Sequence, residues 1–287
     1  MKHGIKPAGK KPVGSLTLVV CAALAAACAG QASKPEVKKT EIPVSVPELR
    51  PGILAGYLPA GALPNSLALL PPAPTPGSAA FAADEEAYRN TRPLRGSSRY
   101  TQAMHDADLR FPQSAQNFAC ALGAPISPDA TPHLYMLLRR SFTDAALSTS
   151  AAKDQYQRLR PFLMHKESSC TPQNEAAMRN DASYPSAQSA IGWTWALLLT
   201  EISPERGDPL LARGMSFGQS GVICGTHWQS DVVQARIMGA GTVARMHSDP
   251  IFRAELEAAK KEVTSARQKA MRPAKDCPAE TAALGQR

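Results

Sequence analysis

The chain has 287 residues, 44% of them hydrophobic, which supplies apolar surface for a sizeable core and excludes a disordered protein. Its formal charge of +8 falls to +4 when the four lysines of residues 1–28, which carry no acid, are set aside. So small an excess, with no Arg/Lys cluster interleaved with aromatics, argues against a nucleic-acid partner and leaves a mild bias toward anionic substrates.

Lys2, Lys6, Lys10 and Lys11 precede an apolar run from Val13 to Ala27 that ends in small residues and Cys28. That is the pattern of a secretory signal, and residues 1–28 are read as one. The run is shorter than the roughly 20 residues a membrane span needs, so a periplasmic, exported chain is expected and no span. "LAAAC" also allows lipidation at Cys28, although Ala25 is a poor match for such a signal. With Cys21 and Cys28 in this segment, Cys120, Cys170, Cys224 and Cys277 remain, enough for two disulfides in three alternative pairings. No Cys/His spacing suggests zinc, and neither metal nor cofactor is expected.

Residues 29–78 are rich in Pro, Lys and small side chains and read as a flexible spacer that becomes an extended arm on the folded body. Residues 79–287 carry helical signals. "SAAFAADEEAYRNTR" has no breaker, and "TPHLYMLLRRSFTDAALS" repeats apolar residues every three or four positions after a Thr-Pro start. "SAIGWTWALLLTEISPE" is apolar on nearly every face, as a central helix must be. "VVQARIMGAGTVARMHSDP" continues a helix opened near His227, and an amphipathic helix starts at Asp249-Pro250 and stops before Pro273. No run alternates β-branched residues. The expectation is an all-α, single-domain helical bundle, without internal repeats and preceded by the Pro-rich arm.

Three segments place polar residues in otherwise Ala- and Leu-rich surroundings. In "KDQYQRLRP", Lys153 and Arg160 are seven residues apart, which on a continuous helix puts two cations on one face beside Pro161. Such a pair suits an oxyanion; a solvated basic face is the plain alternative. In "SYPSAQSAIGW", Ser186 and the N–H groups after it stand at a helix N-terminus, an anion site or an ordinary cap. In "GQSGVICGTHWQSDVVQAR", His227 and Asp231 are four apart, so the carboxylate can orient the ring for nucleophilic or base chemistry; a satisfied core histidine is the alternative.

Taken together, the segments resemble the class A bacterial non-specific acid phosphatases, of the superfamily of type 2 phosphatidic acid phosphatases and vanadium haloperoxidases. That family's pattern is Lys-x6-Arg-Pro, Pro-Ser-Gly-His and Ser-Arg-x5-His-x3-Asp. Likeness extends through "GYLPAGALPNSLALLPPAP", "GSAAFAADEEAY", "TPHLYMLL" and "TDAALST", from about residue 55 to the last helix. The resemblance implies the helical bundle of that superfamily and metal-free hydrolysis of phosphomonoesters through a phosphohistidine. It makes His227 the nucleophile, Asp231 its orienting carboxylate, and Lys153, Arg160 and Ser186 the phosphate ligands.

Three positions depart from the pattern. Ala187 and Gln188 stand where the family has Gly-His, and Gly221 stands where it has Arg. The missing histidine is the family's general acid, which a glutamine amide cannot replace. The expected protein is therefore an acid phosphatase-like hydrolase of reduced activity on phosphomonoesters, one that prefers leaving groups needing no proton. His165, four residues past Pro161, is a candidate substitute acid, with an exposed loop histidine the plainer reading. Cys224 reads as a disulfide cysteine, with Cys277 available, rather than a thiol nucleophile. The competing expectation is a pseudoenzyme that binds inorganic phosphate or a phosphorylated ligand, or an envelope structural protein. Vanadate-dependent oxidation is disfavoured by the same losses, and homo-oligomerisation is left open.

Overall fold

The computed structural model describes Met1 and residues 40–285. The expected signal segment, with Cys21 and Cys28, and the first part of the spacer lie outside the described residues.

Beyond the arm the molecule is helical, with nine helices of seven residues or more among the described residues. These are α1 (Ala79–Thr91), α2 (Ser98–Ala107), α3 (Pro132–Leu147), α4 (Ser150–Tyr156), α5 (Ala187–Ile202), α6 (Gly207–Ile223), α7 (Gln229–Met246), α8 (Pro250–Gln268) and α9 (Cys277–Leu284). The start of α1 is fixed by Ser78, whose Oγ accepts from Phe81 N at 3.1 Å. Asp249 does the same for α8, accepting from Phe252 N at 2.7 Å ahead of Pro250.

The all-round apolar sequence of α5 is explained by its position: α3, α6 and α7 all pack against it. Trp195 on α5 is fully buried and donates its indole N–H to Leu138 O on α3 at 3.1 Å. Gly214 lets α6 approach closely, since a Cβ there would lie 2.5 Å from the Cβ of Ala196. No helix among the described residues is long and apolar enough to cross a membrane.

The arm contains a short antiparallel ribbon, β1 (Glu48–Arg50) with β2 (Ile53–Leu54), turned at Gly52 with φ +80°. No alternating run announced it. Side chains of α3 hold the end of the ribbon and the chain beyond it: Thr143 Oγ1 donates to Leu54 O at 2.7 Å and Arg140 Nη2 to Gly56 O at 2.9 Å. The Asp144 carboxylate accepts from Tyr57 N at 2.8 Å and Leu58 N at 3.2 Å. Gly56 is required for this approach, because a Cβ there would sit 1.9 Å from Asp144 Oδ1. Burial outweighs these bonds and raises the Asp144 carboxyl to about 6.

Two disulfides close the body, Cys120–Cys277 and Cys170–Cys224. Cys224 is indeed bonded, but to Cys170 rather than to Cys277. The first bridge secures α9, which lay beyond the expected last helix. Its eight residues carry no apolar stripe long enough to announce a helix. It is held instead by this bridge and by Glu280, whose carboxylate lies 3.3 Å from Arg213 Nε.

Candidate active site

The Lys153–Arg160 spacing does not describe a helix face. Helix α4 stops at Gln157, which adopts a left-handed conformation with φ +44°. Arg160 is extended, as a residue before proline prefers, and Pro161 opens a new short helix, Pro161–Met164, instead of ending one. Both cations nevertheless reach the loop before α5. Lys153 Nζ donates to Asp181 Oδ1 and Oδ2 at 2.9 and 3.0 Å and also to Ala182 O. Arg160 Nε donates to Asp181 O at 2.9 Å, Nη2 to Asp181 Oδ2 at 2.7 Å, and Nη1 to Thr226 O at 2.9 Å. Asp181 was not singled out from the sequence, and it is the hub that joins the two cations.

His227 lies in the turn between α6 and α7, one residue before the cap position, and not on the helix itself. Its Nδ1 lies 3.0 Å from Ser183 O. A carbonyl can only accept, so Nδ1 carries the proton and Nε2 the lone pair. That lone pair faces Arg160 Nη1 at 3.2 Å. Asp231 Oδ2 is 3.7 Å from Nδ1, an ion-pair distance and not a hydrogen bond. The expected direct orientation by Asp231 is therefore replaced by the Ser183 carbonyl.

Asp231 acts on the turn around the ring. Its Oδ2 accepts from Trp228 N at 2.8 Å and from Ser183 Oγ, and its Oδ1 accepts from Arg158 Nη1 at 2.5 Å. Arg158 in turn reaches Asp84 of α1 at 2.7 Å, and Asp84 accepts from Ser230 N at 2.7 Å. Neither Arg158 nor Asp84 was singled out, although Arg158 lies in the quoted basic segment. Burying Asp231 raises its pKa, but His227, Arg158 and Ser183 together hold it below the usual carboxylate range.

Ser186 is fully buried and caps α5, its Oγ accepting from Ser189 N at 3.1 Å. Ala187 and Gln188 line a cleft of about 1320 Å³ together with Lys153, Arg160, Asp181 and His227. Gln188 Nε2 is committed to Asp106 O at 3.2 Å and Phe217 O at 3.1 Å. Gly221 backs the His227 ring: a Cβ there would stand 3.2 Å from His227 Cδ2. His165 stacks on Tyr88, with ring centroids 4.5 Å apart, and approaches Glu85 at 3.2 Å, so it is tied to α1 and not to the cleft. The cleft wall also carries Met104, Leu109, Phe111, Tyr135 and Phe142, with Arg50 to Ile53 of the docked arm at its edge.

Burial of His227, reinforced by the Arg160 and Lys153 charges and only partly offset by Asp231, lowers its pKa to about 4. The ring is thus neutral through the mildly acidic range, its Nε2 lone pair turned to Arg160 Nη1. With His227 as the nucleophile that the resemblance implies, the neutral form is the reactive one, so kcat/KM is expected to hold as pH falls from neutrality and to drop below about 4. A pH profile corrected for ionisation of the ester checks this; an acid limb at the ordinary histidine value would contradict the buried, neutral ring.

Helical bundle, buried histidine and paired cations converge with what comparison with known proteins finds. Residues 130–253 match the PAP2 superfamily model, a span that contains Lys153, Arg160, Ser186, His227 and Asp231. A non-specific acid phosphatase of Providencia stuartii is 45% identical over 199 residues, covering 69% of this chain and 80% of that protein. An acid phosphatase of Zymomonas mobilis is 38% identical over 209 residues, covering 73% and 79%. The non-specific acid phosphatase of Salmonella typhimurium is 40% identical over 200 residues, covering 69% and 80%. The chain belongs to the PAP2 superfamily and, within it, to the class A non-specific acid phosphatases.

Proposed function

We propose that the protein is an exported phosphomonoesterase that works through a phosphohistidine at His227 and is impaired in protonating its leaving group. The observation that carries this is the tautomer: Nδ1–H spent on Ser183 O leaves the Nε2 lone pair directed at Arg160 beside the cleft. In the first step Nε2 attacks phosphorus and the ester P–O bond breaks, its electron pair leaving with the alcohol oxygen. In the second, water attacks phosphorus, the N–P pair returns to Nε2, and the water proton passes to solvent or a phosphate oxygen. Lys153 and Arg160 hold the phosphoryl oxygens. Export is supported by the basic-apolar leader and by two disulfides, which form in oxidising compartments.

The impairment follows from Gln188 and Gly221. An amide already donating to two carbonyls has no labile proton for an alkoxide, and the third phosphate cation of the family pattern is absent. A nitrophenolate leaves without a proton, and the apolar and aromatic cleft wall suits such a group. The expected result is turnover of p-nitrophenyl phosphate that exceeds that of an alkyl phosphate by about 10²- to 10⁴-fold, the usual worth of general acid catalysis. Inertness toward both esters, with phosphate binding retained in calorimetry, would instead establish a phosphate-binding pseudoenzyme.

A further inference from the structure

The two phosphate-binding cations already hold an anion of the chain itself. The Asp181 carboxylate bridges them, with both oxygens on Lys153 Nζ at 2.9 and 3.0 Å and Oδ2 on Arg160 Nη2 at 2.7 Å. The cationic side chains are 9% and 4% exposed, while that of Asp181 is 52% exposed at the cleft. Among the described residues, every other acceptor for these two cations is a backbone carbonyl of Met178, Asp181, Ala182 or Thr226, or the His227 ring. The carboxylate is the one acceptor among them on a side chain that is half exposed to solvent. It is therefore the one that can leave.

On the reading that Lys153 and Arg160 bind the substrate phosphoryl group, we propose that Asp181 is a resident competitor of that group, a carboxylate that phosphate must displace from both cations. While the site is empty, the bridge is the carboxylate bonded directly to two buried charges that otherwise feel only the more distant Asp231. When phosphate enters, the same bridge opposes it, because an anion must either swing toward solvent or remain beside a second anion. With glycine at position 221, two cations face one directly bonded carboxylate and the more distant Asp231, so little positive charge is left to attract a dianion. Asp181 thus sets phosphate affinity from outside the Lys-x6-Arg-Pro, Pro-Ser and His-x3-Asp motifs.

The test is calorimetric titration of the protein with inorganic phosphate, wild type beside D181N, with D181S as a smaller second variant and circular dichroism to confirm folding. Asn keeps the size and loses the charge, so D181N is expected to bind phosphate about tenfold more tightly, the scale of charged hydrogen bonds discounted for partial exposure. KM for p-nitrophenyl phosphate should fall in parallel while kcat stays within a few-fold. Unchanged or weaker binding by both folded variants would overturn the proposal and make Asp181 an anchor for the cations. If neither wild type nor either variant binds phosphate, the reading of Lys153 and Arg160 as a phosphate cradle falls, and this inference with it.

Discussion

Combining Ala187→Gly, Gln188→His and Gly221→Arg is expected to raise turnover of an alkyl phosphate by roughly 10³- to 10⁶-fold, from general acid catalysis and a charge-assisted phosphate contact, allowing for non-additivity. Gln188 is buried and lines the cleft, so an imidazole there can use one nitrogen toward Asp106 O or Phe217 O and present the other to the leaving oxygen. Ala187→Gly removes a Cβ at the first turn of α5, where the backbone must approach the anion. Gly221→Arg is the constrained change. Its Cβ would meet His227 Cδ2 at 3.2 Å, so the ring must yield by a few tenths of an ångström against its bond to Ser183 O. The paired reversion at 187 and 188 is therefore expected to restore most of kcat, and the change at 221 to act on KM. Assays of p-nitrophenyl and alkyl phosphates at mildly acidic pH decide it. A gain in kcat confined to the alkyl ester identifies the missing acid. Inactivity of both native and reverted chains on both esters would sink the assignment of the site.

The range of the forces involved decided which features were legible in the sequence. Helix α5 could be read because a segment apolar on every face has to be surrounded, and α1, α3 and α8 because caps and periodicity are local. The ribbon β1–β2 and helix α9 were not, since each is held by distant groups: Thr143 and Asp144 for the ribbon's end and the chain beyond it, a disulfide and Arg213 for α9. Lys153 and Arg160 were found for a geometric reason that fails, because Gln157 and Pro161 break the helix that seven-residue spacing assumes. They still converge, through a loop some 20 residues further on whose Asp181 no local pattern marks. The same holds around His227. Four-residue spacing pointed to Asp231, but the ring takes a backbone carbonyl from Ser183, and a carbonyl leaves no trace in residue identity.

On the proposed mechanism, His227→Asn is expected to reduce turnover of p-nitrophenyl phosphate by at least about 10⁴-fold, because it would remove the attacking lone pair itself and not a group that assists it. The asparagine amide can still donate to Ser183 O, so the turn before α7, secured by Asp231 through Trp228 N and Arg158, should survive. Phosphate affinity should change only a few-fold, since Lys153, Arg160 and their loop are untouched. Wild type mixed with labelled ester and quenched in alkaline detergent should yield a base-stable phosphoenzyme that acid then releases, the signature of phosphohistidine, and the variant should yield none. Loss of turnover with binding retained separates a nucleophile from a ligand: a histidine that merely helped hold the anion would lose affinity and keep kcat. Turnover that persists in the variant would mean that water attacks the ester directly. The buried, neutral ring would then be a structural element of the cradle, and the paired cations alone would account for the residual activity.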